Sequence, residues 1–265
     1  MKKLLLFSGI LFLHFPIFSQ QSQDSIQSDQ YVQQKAWGFS ITPYAMLAAN
    51  STDVGDTKIR QSFSDLSSIT QAGFQIVGKV RYKRAYVLFD GTFATLGHGA
   101  NEGLIDIDAT VKQNIYDFRA GYTVIQNLKV KGDQVISGWE LAFNTGAKYW
   151  LNDLNVNYRV NVGVPPIVDD NINEKQEWWD WMLGVNAKFM ITNRFFIGVS
   201  GSTGGFGIGN ASNFSYDFTY SNTFKVHKFV FVNAGYRNFR YNRTDNGTET
   251  IVNVLGPFLG VTGSF

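Results

Sequence analysis

From Trp37 to the terminal Phe265, apolar and polar residues alternate with a period of two along almost every segment. That is the pattern of strands with one apolar and one polar face. Trp179, Trp181, Leu183, Val185, Ala187 and Phe189 share one side, and Trp178, Asp180, Met182, Gly184, Asn186 and Lys188 share the other. Phe195, Ile197 and Val199 oppose Gly198, Ser200 and Ser202, while Phe214, Tyr216, Phe218 and Phe224 oppose Ser215, Asp217, Thr219 and Lys225. In the N-terminal half Phe39 and Ile41 oppose Ser40 and Thr42, Tyr116 and Phe118 oppose Asp117 and Arg119, and Phe143 and Ala147 oppose Asn144 and Lys148. The alternation predicts about ten strands, with eight as the alternative. They fall near 36–49, 70–83, 85–97, 110–130, 134–159, 176–191, 194–207, 211–226, 228–242 and 249–265.

Two-faced strands suit a soluble β-sandwich as well as a membrane barrel. Strand length separates them, because most segments reach 12 residues or more and roughly 9–11 suffice to cross a bilayer when tilted. Connection length points the same way. Turns near 83–84, 131–133, 192–194 and 226–228 are tight, whereas 50–69, 98–109 and 160–175 are long, polar and rich in Gly, Asn and Asp. Short turns at one end and long loops at the other match an up-and-down barrel with both termini on one side, although 207–211 and 243–248 are short on the loop side too. Trp37, Trp139, Trp178, Trp179 and Trp181 lie near strand ends, where an interfacial aromatic girdle belongs. In lipid every backbone amide and carbonyl is paired internally, which leaves helices or a closed barrel.

The leader changes the compartment. Met1-Lys2-Lys3 precedes the apolar run Leu4–Phe18, which is broken by Pro16 and too short for a comfortable span. Residues 1–20 read as a secretory signal, 21–35 as a flexible periplasmic leader rich in Gln, Ser and Asp, and 36–265 as the barrel domain. Of the 265 residues, 44% are hydrophobic, 15% aromatic and only 17% charged, and mean hydropathy is −0.11. The charge of +2 includes Lys2 and Lys3, so removing the signal lowers Lys+Arg from 23 to 21 against 21 acids. A neutral chain is not built to bind nucleic acid. The absence of cysteine excludes disulfides, thiolate metal sites, thiol nucleophiles and a Cys lipid anchor.

The C-terminal Leu259-x-Val261-x-x-x-Phe265, preceded by Leu255, resembles the closing-strand assembly signal of Gram-negative outer-membrane barrels. Trp37 with Thr42-Pro43-Tyr44, Phe63-Ser64-Asp65-Leu66, the Gly204–Gly209 stretch, Gly235-Tyr236-Arg237 and Gly256-Pro257-Phe258-Leu259-Gly260 are together similar to a small, poorly characterised family of such barrels. The resemblance covers about residues 36–265 and implies an outer-membrane location. It also implies lipid and lipopolysaccharide as surroundings, and periplasmic chaperones and the barrel-assembly machinery as partners. It attaches no activity.

Lys79, Arg81, Arg119, Lys148, Lys188, Lys225 and Arg237 are assigned to the inward face with Asp90, Asp117, Glu140, Asp180 and Asp217. The preferred reading is a network of ion pairs filling a narrow lumen, in a structural or surface-interactive barrel whose extracellular ligand is unspecified. The alternative is a narrow porin-like channel, weakly anion-favouring by seven cations to five acids. A rim hydrolase would need a histidine near an acid at the outer edge. His98 in its Gly-rich loop, with Asp169 or Asp170, is the one candidate, and no motif supports the pairing, so the chain is read as a non-enzyme. Gly204–Gly209 lacks the helix and Lys-Ser/Thr of a phosphate loop and reads as a site of close approach or kinking. Asp169, Asp170, Asn171, Asn173 and Glu174 match no Ca²⁺-loop spacing and read as a solvated loop. No cofactor or metal is expected.

Overall fold

β-Branched and aromatic residues alternating with small polar ones favour a pleated ladder, and in the computed structural model this ladder closes on itself. Residues 36–265 are described, apart from 56, 63, 66–69, 103–104, 132–133 and 161–167. The expected signal and leader, part of the Phe63–Leu66 motif and residues 161–167 of the 160–175 loop lie outside the described residues.

Twelve strands form one sheet: β1 (Trp37–Met46), β2 (Ala49–Val54), β3 (Thr57–Gln61), β4 (Thr70–Tyr82), β5 (Ala85–Glu102), β6 (Ile105–Lys131), β7 (Gln134–Val160), β8 (Val168–Met190), β9 (Phe195–Gly204), β10 (Phe214–His227), β11 (Val230–Asp245) and β12 (Thr248–Ser264). β1 pairs antiparallel with β4 on one edge and with β12 on the other, so β1 and β4–β12 form a closed ring of ten. Closure leaves no edge within the ring. Past Leu47 and Ala48 the first strand resumes as β2 along the upper part of β12 and turns back as β3. The outer segment expected as a loop over 50–69 therefore contains a hairpin, whose Arg60 and Asp53 form an ion pair.

The ten strand positions agree with the alternation, but several strands run further than it predicted. β6 and β7 have 27 residues each, β8 has 23 and β5 has 18. Residues 98–102, 105–109 and 168–175 are ladder rather than loop. In 98–102 and 168–175 Gly, Asn and adjacent acids interrupt the alternation, whereas Ile105-Asp106-Ile107-Asp108 keeps it. The outward face marks the change: Tyr116, Tyr149 and Trp179 share adjacent register positions, and the next outward residues are Asn114, Leu151 and Glu177.

Two aromatic side chains cover cross-strand glycines inside the barrel. The Tyr86 ring lies where a Cβ on its partner Gly121 would stand, 2.2 Å away, and the Phe258 ring does the same over Gly235, at 2.7 Å. Glycine thus lets a large ring lie flat against the wall of a narrow barrel.

Candidate functional site

The outward positions carry the apolar load, with Trp181, Leu183, Phe118, Phe143, Phe218 and Leu259 all exposed. Near the termini, Trp37 packs against Tyr82 at 4.8 Å and Phe229 against Phe265 at 6.0 Å. At the opposite border Tyr116, Tyr149 and Trp179 make a continuous row with ring separations of 6.2 and 4.7 Å. Trp37, Trp139, Trp179 and Trp181 all point outward. Trp178 does not: it is 3% exposed and faces the interior, stacked on Trp150 at 5.8 Å. Its placement in a girdle with Trp179 is corrected by strand parity, because consecutive residues in a strand project to opposite faces. Leu259, Val261 and Phe265 project outward along the closing strand, and the Phe265 amide donates to the Phe39 carbonyl at 2.9 Å.

The interior is organised in tiers along the barrel axis. Furthest from the termini is an apolar cap of Ile115, Trp150, Trp178, Phe239, Tyr241, Val252 and Val254. Beneath it Asp180, fully buried, accepts from the Trp150 indole Nε1 at 2.9 Å, the Ser212 amide at 2.8 Å and the Ser212 hydroxyl at 2.9 Å. The Trp178 indole donates to the same Ser212 hydroxyl at 2.9 Å. Ser212 arrives there because the β9–β10 turn folds over the mouth. Gly205 adopts φ +84°, and a Cβ on it would stand 2.3 Å from the Ser212 carbonyl oxygen. The glycine run thus performs the close approach expected of it, to anchor a turn.

The middle tier is ionic. Arg237 on β11 donates Nε and Nη2 to the two oxygens of Asp217 on β10 at 3.1 and 2.7 Å. Its Nη1 pairs with Asp90 on β5 at 2.9 Å. The guanidinium also bonds the Tyr44 hydroxyl of β1, which donates to Asp90 at 3.0 Å. Lys148 on β7 bridges Asp217 at 2.8 Å and Asp117 at 3.4 Å, and Arg119 grips Asp117 with Nε at 2.7 Å. Three cations meet three carboxylates, and with Tyr44 the chain of contacts touches six of the ten ring strands. Charges buried this deeply persist only when paired and hydrogen-bonded. On the terminal side of this tier lies a cavity of about 250 Å³ lined by Tyr86, Asn144, Asn186, Ser200, Ser221 and Thr262 among others. A hydrogen-bonded string from Thr223 through Asn233 and Thr262 to Thr42 runs along its wall.

Lys79, Arg81, Glu140, Lys188 and Lys225 project inward nearer the termini, outside the ion-paired network. The twelve inward charges therefore divide into the network of six, Asp180 under the cap, and these five. Sequence reasoning passed over Tyr44, Trp150 and Ser212 as site residues, although parity with Thr42 in β1 and with Lys148 in β7 was the available signal for the first two. Ser212 had none, because a turn has no parity. His98 lies in β5 opposite Ala109, rather than in a loop, and β6 and β7 separate its strand from Asp169 and Asp170 on β8. Those acids are likewise in strand rather than loop. Among the described residues no group of three or more His, Cys, Asp or Glu side chains is gathered to hold a metal.

No protein-family model matches the chain, and no curated protein sequence does. Among solved structures it is similar to the outer membrane protease OmpT from Escherichia coli, with a TM-score of 0.52 and 9% identity over 86% of this chain and 97% of that one. Lower TM-scores of 0.34 and 0.33 relate it to the attachment invasion locus protein Ail of Yersinia pestis and to the outer membrane protein OprG from Pseudomonas aeruginosa. Each is 11% identical; they cover 88% and 87% of this chain, and 100% and 96% of their own. At such identities the likeness to OmpT concerns fold and carries no activity with it. The chain is a closed ten-stranded β-barrel of the Gram-negative outer-membrane type, apolar outside and polar within. The two ends of the barrel differ: β1 begins and β12 finishes at one, and the cap and the β5–β8 extension stand at the other.

Proposed function

We propose that this barrel does not conduct, and that its role is structural and surface-interactive. One observation carries the reading: the charge-balanced cluster of Asp90, Asp117, Arg119, Lys148, Asp217 and Arg237 crosses the lumen beneath an apolar cap of stacked tryptophans. An ion following the axis would have to break several charge-assisted hydrogen bonds and then pass a dry aromatic layer. The surface role is supported by β6, which continues for eleven residues beyond Tyr116, from Ile105 to Ile115. At ~3.4 Å per residue that is roughly 37 Å of strand outside the bilayer. Residues 1–20 act as the export signal, 21–35 as a leader, and Leu259, Val261 and Phe265 as the signature read by chaperones and the assembly machinery. Planar-bilayer recording of the refolded protein tests the closed lumen. The expected trace is flat, and reproducible conductance steps would overturn the reading in favour of a narrow channel.

A further inference from the structure

We propose that the upper edge of β8 docks an extended, basic polypeptide segment, which joins the sheet as an added strand. The proposal rests on the surface-interactive reading above and gives that surface a place and a partner chemistry. β8 is paired on both sides only over Met182–Met190, where β9 runs beside it. β9 ends at Gly204, whereas β8 continues with β7 in unbroken register as far as Val168. Backbone groups alternate in direction along a strand. The Met182 carbonyl faces β7, where the Thr145 hydroxyl donates to it at 3.1 Å. The Trp181 carbonyl faces the other way and accepts the Gly205 amide at 3.2 Å. By the same parity Trp179, Glu177, Lys175 and Asn173 present both amide and carbonyl to the side that β9 has left. Among the described residues no backbone partner stands there for any of the four. The stretch Asn173–Trp179 is roughly 20 Å long at ~3.4 Å per residue, and all four residues are exposed.

An unpaired strand edge is a template for another chain, and charge decides which chain. Residues 97–115 and 151–177, which contain the extensions of β5–β8, carry eight acids against three bases. Four of the acids, Asp169, Asp170, Glu174 and Glu177, fall within 168–177 beside the single base Lys175. A second copy would bring the same acidic edge and be repelled, whereas a segment rich in Lys or Arg is attracted and steered. Two apolar side chains stand at the foot of the edge, where the β9–β10 turn leaves Phe206 and Ile208 46% and 69% exposed. That turn is held from beneath by the bond from the Ser212 amide to Asp180 and by Arg243 Nε, which donates to the Asn210 carbonyl at 3.4 Å. β8 runs toward this turn, so a strand added antiparallel to it begins at the turn and follows the path β9 would take if it continued. The partner is therefore an extended basic segment with an apolar residue at its N-terminal end. The backbone ladder supplies the pairing, and the acids select the charge.

The test titrates the full-length barrel, refolded in non-ionic detergent at low salt, with an end-blocked peptide that begins with phenylalanine and then alternates lysine with valine. Anisotropy of a labelled peptide reads binding, and isotope-edited infrared of its carbonyls reads strand pairing. Saturable binding with the carbonyl band moved to the β-sheet position is expected, weakening as salt rises from about 0.05 to about 0.5 M. Lys175→Pro deletes one edge amide, leaves the β7 ladder in place and makes the edge more acidic. It should nevertheless weaken binding by about tenfold or more. Lys175→Gln makes the same charge change with the amide kept, and should bind at least as tightly as the parent. The peptide with glutamate for lysine should not bind. Heat-modifiable gel mobility checks that each variant is folded, and an unmoved carbonyl band overturns the proposal whatever the variants do. Absence of saturable binding, equal binding by folded Lys175→Pro, equal binding of the glutamate peptide, or a dimer of the barrel that Lys175→Pro breaks overturns it too. Conductance of the same samples separates the two readings. A flat trace without peptide binding removes the docking edge alone, and conductance with binding lost in Lys175→Pro overturns the closed lumen alone.

Discussion

Asp217 is where two cations converge, and neutralising it is the sharpest probe of the interior. Arg237 donates to both of its oxygens and Lys148 adds a third bond at 2.8 Å, with the Asp217 and Lys148 side chains 8% and 1% exposed. Asp217→Asn keeps the volume, but it turns three cations against three acids into three against two. It also sets an amide NH₂ among donors. Removing one member of a buried pair costs about 3–5 kcal/mol, chiefly because the remaining charge is stranded. The exposed pair Lys175–Glu177 provides the contrast, since such a pair is worth about 0–1 kcal/mol. Guanidinium unfolding of the barrel in lipid vesicles, followed by tryptophan fluorescence, measures the difference. The second arm is Asp217→Asn with Lys148→Met, which removes one of the stranded cations and should recover part of the loss. A coupling of at least about 1 kcal/mol between the two sites is expected for groups in direct contact. If Asp217→Asn costs less than about 1 kcal/mol and the double variant shows no coupling, the interior is not held by this cluster.

Three further outcomes follow from the same geometry. Leu183 points outward in the middle of the apolar band of β8, so Leu183→Arg should destabilise the barrel in vesicles by about 2–4 kcal/mol; a neutral effect would mean the apolar face does not meet lipid. Ser212→Ala removes the hydroxyl that joins the Trp178 indole to Asp180 and should cost about 1–3 kcal/mol. Chymotrypsin should then cut the β9–β10 turn at Phe206 faster than in the parent, and equal cutting rates would argue that the turn is not anchored there. Beyond the apolar band, the hydrogen bond from Arg60 holds the Asp53 carboxyl below its ordinary range. A lowered folded-state pKa gives stability that is present above the unfolded value and lost as pH falls through the folded one. The β2–β3 hairpin should therefore loosen only in acid, below about pH 4. Arg60→Gln should raise the Asp53 titration, followed by carboxyl NMR, toward the ordinary value, and an unmoved titration would discount the pair.

The division between what the chain order determined and what assembly decided is physical. Alternation is local: whether a residue faces lipid or lumen depends on its parity within one strand, so the number of ring strands, their faces and the polar interior were all legible from Trp37 onward. Even the misplacement of Trp178 was correctable by parity, since Asp180 and Met182 share its side. Parity carries no information about height or neighbours. Only closure of β1 on β12, with each strand shifted against the next, put Asp90 beside Arg237, 147 positions away, and Lys148 beside Asp217. The same closure sorted twelve inward charges into a balanced cluster, a capped aspartate and five groups nearer the barrel end where β12 finishes, a partition that a seven-to-five count conceals. The outer ends of β5 and β8 were not legible because Gly, Asn and adjacent acids interrupt the alternation there, while the backbone ladder pairs whatever the side chain.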